Sequence, residues 1–468
     1  MTLASPVAEE RHALTVEILR GLIRIPSINP PPAGAPDGEL RVAEFLADRL
    51  TELGLRPEVV EPVPGRGSVH ARLRGDGTGG EPLLLLSHLD VVPAPPDRWT
   101  HDPFSADIAD GYVYGRGAVD MKAMIALEFG VVAGLVADAR AAGLDPAVDP
   151  IPGLRRDVLF TSAADEEAGG EAGIKWIARE RKHWLHAAGA LNEAGGVSVT
   201  VAGRRLYPIG VAEKGFAPYR IHVRGTWGHG SMPHDDNAVV LASRIVERLA
   251  VTGPVQLVPV MARFIQEVRS ALPPTIADPL IAVAEDAPGA DAELDRLCDP
   301  FYARVIRSLI RHTWSPDVFT AGVKYNVIPG DAIIEVDCRV LPGTTEPEMR
   351  AELERRIGPD LLPACDITLI AWGAPVETPA SGPLWDTLVA TLREHDPAAI
   401  PVPMMLPFAT DAKTTVPMGI PTYGFSPLRL AADERFLDRF HSVDERVSLA
   451  ALRFGLPVLD DVVRRYCG

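Results

Sequence analysis

The stretch that most constrains this chain runs from Leu83 to Lys122, opening with LLLLSHLDVVP and closing with GRGAVDMK. A run of four leucines reads as a strand buried on both faces, which needs a sheet covered by helices. At its end His88 and Asp90 sit at i and i+2, so both side chains leave from the same face. His88 can then bind a metal ion while Asp90 orients its other ring nitrogen. Asp120 follows a glycine-punctuated turn where a helix begins. Taken singly, an HxD pair is usually without function, and Asp120 reads as an ordinary helix N-cap.

The surrounding pattern fits that sheet. A helix is expected from Ser5 and Pro6 through about Ile23, with Leu14, Ile18 and Leu22 at helical spacing. The PSINPPPAGAPDG segment after it reads as a loop too polar and broken to pack. A second amphipathic helix is expected over 39–53, stopped by Gly54. Strands at 57–62, 68–74 and Leu83–Ser87, a helix over 120–139, the strand Val158–Ala163, a helix near 171–182 and the apolar pair Ala190–Leu191 then follow. Such alternation indicates an α/β fold, with the active site in loops at the strand ends.

At 468 residues the chain exceeds one average domain. From Lys214 the rhythm changes. A strand over Tyr219–Val223, a helix over 237–250, a strand over 332–340, a helix over 346–357 and a strand over 366–372 make two similar sets. They suggest a smaller α+β domain over 214–376, inserted into a first domain made of 1–213 and 377–468. Extra helical material is expected near 251–320, and Pro375 to Pro383 reads as the return linker.

Two acidic sites recur past apolar segments, and a histidine follows late in the chain. Glu166 and Glu167 follow the strand Val158–Ala163, Glu193 lies in NEAGG, and His441 comes late in the chain. Adjacent acids at a strand end repel unless solvated or divided between tasks, so one could bind metal while the other stays free as a base. Each is more often plain surface when taken alone. The formal charge of −17 argues against nucleic-acid binding. No apolar run approaches the length of a membrane span, and the N-terminus has acidic residues where a signal peptide would be basic. The four cysteines show no CxxC spacing and read as reduced thiols. A cytoplasmic protein is expected.

The order His, Asp, Glu-Glu, Glu, His comes with distinctive surroundings. SHLDVVP, GRGAVDMK, DEEAGG, NEAGG, GHGSMPH and NVIPG resemble the M20 metallopeptidase family over nearly the whole chain. That family includes aminoacylases, succinyl-diaminopimelate deacylases, glutamate carboxypeptidases and dipeptidases. The resemblance implies a di-zinc catalytic domain with a helix-covered mixed sheet, and an inserted lid or dimerisation domain that makes the protein a homodimer. It implies that His88, Asp120 and Glu193 bind one zinc ion, and that Asp120, Glu167 and His441 bind the other, with cobalt or manganese as substitutes. Asp90 would support His88, and Glu166 would be the general base. His229 would stabilise the oxyanion, reaching the neighbouring subunit's site, with His234 as its competitor. Asn326, Arg339 and Gly424 would meet substrate, Arg339 by a fork on a carboxylate. The peptide bond after Asp120 would be cis.

The implied reaction is hydrolysis of an amide in a small substrate with a free carboxylate, a peptide or an N-acyl amino acid, by a hydroxide shared between the two ions. Hydrolysis of N-carbamoyl amino acids is the alternative within the family, and a non-catalytic metal-binding scaffold is the alternative outside enzymes. NEAGG departs from the commoner NEGGG at Ala194, which blurs the subfamily.

Overall fold

The computed structural model describes residues 6–31, 34, 37–297 and 299–468. The expected N-cap Ser5 and the thiol of Cys298 lie outside the described residues. Contacts divide the chain into two compact units, one of residues 1–211, 378–404 and 410–468, the other of 212–377 and 405–409.

In the first unit the strands run Glu58–Val63, Arg66–Leu73, Val158–Ala163, Leu83–His88, Gly189–Asn192 and Thr422–Gly424 across a sheet that continues into Arg204–Glu213. Leu83–His88 is parallel to both of its neighbours, whereas Arg66–Leu73 pairs antiparallel with Val158–Ala163. The sheet is therefore mixed. All six residues of Leu83–His88 are buried, as its unbroken apolar run requires. Leu84 and Leu86 pack with Ile174, Ile177 and Trp184, and the helices Lys122–Ala141 and Leu449–Cys467 also contact this strand. Lys122–Ala141 is apolar on nearly every side and is buried continuously from Lys122 to Val136, the state such a helix needs. Its first residue is pinned: Lys122 Nζ donates to the carbonyls of Leu22 (2.9 Å) and Ile25 (3.1 Å), just where the helix Pro6–Ile23 runs out of intrahelical partners.

Two expectations need correction here. The helix after the GRGAVD turn starts at Lys122, with Met121 at the cap position, so Asp120 is not an N-cap and its carboxylate is free for other partners. The proline-rich loop does pack over its first residues. Ser27 is fully buried with its hydroxyl on the Leu89 carbonyl, Asn29 is 3% exposed, and Ile28 bridges Val91.

In the second unit, Asp331–Val340 lies between Tyr219–Arg224 and Thr313–Ala321, all antiparallel, with Cys365–Leu369 beyond Tyr219–Arg224. The helices Ala238–Leu249 and Glu346–Ile357 bury Ala242, Ile245, Met349 and Leu353 against Ile221, Ile334 and Val336. Both start on capping residues: Asn237 accepts from Val239 N, and Thr345 with Glu348 forms a capping box. The extra material is four helices between Pro259 and Leu309. It does not extend to 320, because Thr313–Ala321 is a sheet strand. Pro316 and the register shift beside it hide that strand in the sequence. Among the described residues no helix is long and apolar enough to cross a membrane.

Candidate metal centre

Three neighbouring strands end at one edge of the first unit's sheet, and each delivers acid or histidine at or just past its last residue. Leu83–His88 ends on His88, Val158–Ala163 leads to Glu166 and Glu167, and Gly189–Asn192 leads to Glu193. Asp120 arrives from the glycine turn after the strand Tyr112–Tyr114, and His441 from the segment before Arg446–Ser448, which pairs with that strand.

These side chains form two trios. His88 Nε2 lies 3.0 Å from Asp120 Oδ1 and 3.6 Å from Glu193 Oε1. His441 Nε2 lies 3.2 Å from Asp120 Oδ2 and 3.3 Å from Glu167 Oε2. Within each trio the donor atoms lie within 4.8 Å of one another. Asp120 belongs to both, with one oxygen toward each histidine.

The supports are built from the backbone outward. His88 Nδ1 is 3.1 Å from the Asp90 carbonyl oxygen and 3.5 Å from its Oδ1, which leaves Nε2 for the trio. The Asp90 carboxylate accepts from Glu166 N (3.1 Å), Glu167 N (3.0 Å) and Asn29 Nδ2 (2.8 Å). It therefore fixes the Glu-Glu turn as well as the histidine. The bond Asp120–Met121 is cis. Gly424 sits where a Cβ would come 2.5 Å from the Glu193 carbonyl oxygen, so only glycine lets this strand lie against the Glu193 segment. Ala194 holds φ +68°, a region that glycine enters more easily.

Carboxylates outnumber histidines here, and the charges respond. Burial, the nearby Asp120 and a weaker opposing pull from His88 leave Glu193 pushed up to about 8. Burial also pushes Glu166 well above the usual carboxylate range, reinforced by Glu193, Asp411 and Asp90 against His88. Asp120 is held below its ordinary value, because hydrogen bonds from His441 and His88 overcome its burial. His441, bonded to Asp120 and Glu167, is raised to about 10. Glu167 Oε1 is buried and has no hydrogen-bond partner. An excess of buried acid, an orphaned carboxylate oxygen and a purely nitrogen and oxygen donor set fit divalent-cation ligands. Glu166 belongs to neither trio.

Sequence reading missed the polar layer beneath. Asn29 also donates to Asp165 Oδ1 (3.2 Å) and accepts from Arg66, whose Nη1 meets Glu39 Oε1 at 2.7 Å. Glu445 is fully buried and accepts from Asp120 N (3.1 Å), Val119 N (2.7 Å), Gly117 N (3.0 Å) and Arg116 Nη1 (2.6 Å). It ties down the whole turn that carries Asp120. Thr410 accepts from Asn192 Nδ2 at 3.0 Å.

The remaining candidates lie in the second unit. His229 is exposed on the short strand Gly228–His229, paired with Val327–Ile328, and its Nδ1 is 2.8 Å from Ser231 Oγ. Gly230 N donates to the Asn326 carbonyl at 2.9 Å, which makes the His229 and Asn326 segments neighbours. The Asn326 side chain has its Oδ1 buried and without a partner. Arg339 already forks onto Asp337, with Nε to Oδ1 and Nη2 to Oδ2 both at 2.8 Å. His234 pairs with Asp236 at 2.5 Å.

The sequence model of Peptidase family M20/M25/M40 matches residues 84–465. The chain is 26% identical over 472 residues to an N-fatty-acyl-amino acid synthase/hydrolase of Xenopus tropicalis, covering 96% of this chain and 85% of that one. It is 27% identical over 461 residues to aminoacylase-1 of Pongo abelii, covering 96% and 94%. Human carnosine dipeptidase 1 shares the fold, with a TM-score of 0.69 at 16% identity over 98% of this chain and 97% of that one. A match across most of the chain, over a mixed α/β fold that brings two candidate metal-binding trios together, makes this protein a member of peptidase family M20/M25/M40, hydrolytic enzymes that act on amide bonds.

Proposed function

We propose that the protein is a di-zinc hydrolase that cleaves an amide bond in a small substrate bearing a free carboxylate, either a peptide or an N-acyl amino acid. The observation that carries this reading is the pair of trios sharing Asp120. His88, Asp120 and Glu193 would hold one ion, and Asp120, Glu167 and His441 the other. Bound there, the ions would supply Lewis acidity to the scissile carbonyl and acidify the attacking water.

The chain's own groups divide the remaining work. Glu166 takes the proton of the attacking water and returns it to the departing amine, which suits a carboxyl whose basicity is raised by burial. Asp90 holds the His88 ring and the Glu166–Glu167 amides in place. His229 would donate to the developing oxyanion. Asn326 and Arg339 would meet the substrate's carboxylate end, for which Arg339 must exchange its fork on Asp337 for one on substrate. Gly424 would keep the backbone close beside the Glu193 segment.

The test is a substrate panel on zinc-loaded enzyme that crosses dipeptides, N-acetyl, N-fatty-acyl and N-carbamoyl amino acids. Hydrolysis of at least one of the peptide or acyl classes is expected. In Glu166→Gln the rate should fall by about 10²- to 10⁴-fold with zinc content unchanged. Wild-type rates in that variant would remove Glu166 as the base, and turnover of N-carbamoyl substrates alone would favour the carbamoyl reading.

A further inference from the structure

The second unit holds a cluster of buried polar groups that the proposed reaction does not use. A cleft of about 200 Å³ opens between residues 250–253 and 304–314. One wall is the helix Pro300–Leu309 and the residues just after it, which set Arg304, Arg307 and Arg311 at i, i+3 and i+7 along one side. No carboxylate lines the cleft.

The hydrogen-bond accounting there is one-sided. Arg311 is only 4% exposed, yet its Nε and Nη1 have no partner. Trp314 lines the same cleft, and its buried Nε1 also has none. Protein interiors leave few buried polar atoms unsatisfied, and guanidinium and indole nitrogens can only donate. Three orphaned donors on two residues that line one cleft therefore call for an acceptor. Arg304, exposed at the mouth, has no hydrogen bond or ion pair among the described residues.

The nearby acids do not fill that need. Arg311 Nη2 lies 3.2 Å from Asp291 and 3.4 Å from Asp286, while Arg307 pairs with Asp291 (2.9 Å) and Asp295 (2.7 Å). These carboxylates hold the two guanidinium groups from outside the cleft and leave Nε and Nη1 of Arg311 unused. His312 adds no charge. Its Nδ1 accepts from Leu341 N at 3.1 Å, and burial lowers it to about 4.

We propose that this cleft binds a small oxyanion, a carboxylate or a phosphate group, through Arg304, Arg311 and the Trp314 indole. A guanidinium edge suits either anion, and the indole N–H supplies a third direction of approach. The site is built from second-unit residues alone and shares none with the metal trios.

The test follows tryptophan fluorescence and heat as zinc-loaded enzyme is titrated with inorganic phosphate and, separately, with succinate. A saturable change with one or both is expected, and the tighter probe identifies the anion class. Affinity should fall about tenfold or more in Arg304→Gln, since charge-assisted hydrogen bonds are the strong ones. In Trp314→Phe the fluorescence change should vanish. Arg304 is exposed and unengaged, so its replacement leaves the fold unburdened. Absence of saturable binding by either anion overturns the proposal. So does binding that is unchanged in both variants, which would assign the anion to the metal centre.

Discussion

At the scale of the residue, His441 shows how the centre is tuned. It is half exposed, its backbone sits at φ +56°, and two carboxylates face its Nε2. Those hydrogen bonds raise its pKa to about 10 in the metal-free protein. A raised pKa stabilises the folded metal-free chain fully below the unfolded value near 6.5, and that contribution fades as pH climbs toward about 10. A cation requires the neutral ring, so it competes with this proton. Metal affinity should therefore rise with pH across the neutral range, and loading at about pH 7 should release at least one proton per chain. Calorimetry in buffers of different ionisation heats counts those protons, and zero release would contradict the assignment of His441.

At the scale of the element, the turn between the strand Tyr112–Tyr114 and the helix Lys122–Ala141 depends on a residue more than three hundred positions away. Glu445 accepts three of the turn's amides and neutralises the buried Arg116. Burial pushes its carboxyl up, and Arg116 and the amides pull it back, so both partners need each other. Glu445→Ala leaves Arg116 charged and unpaired in the interior, which should cost roughly 3–5 kcal/mol in urea denaturation and weaken metal retention through Asp120. A cost under about 1 kcal/mol would mean that the turn holds itself. This layer was not legible in the sequence. Glu445 has no local pattern to mark it, and Asn29 was hidden in a proline-rich loop. The trio residues were legible because each follows a strongly apolar strand or a glycine turn, or, for His441, completes a recognisable order. Elements with clean periodicity, such as Val158–Ala163 and Glu346–Ile357, lie where expected. Thr313–Ala321 does not, because Pro316 and a register shift break its alternation.

At the scale of the whole molecule, one unit carries the metal trios, and the other carries His229, Asn326, Arg339 and the arginine cleft. We propose that the second unit also dimerises the chain, the role that the family resemblance implies for it. Its exposed Phe319, Val323, Tyr325 and Trp227 are apolar surface that such a contact would cover. Sedimentation velocity should then show a dimer, and a monomer at working concentration would remove the role proposed for His229 in a neighbouring subunit. A carboxylate shared between two ions makes metal content depend on Asp120 more than on any other ligand. Zinc-loaded wild type should carry about two equivalents per chain, Glu193→Ala or His441→Ala about one, and Asp120→Ala close to none. Wild type that saturates at a single equivalent, or Asp120→Ala that still holds two, would contradict it.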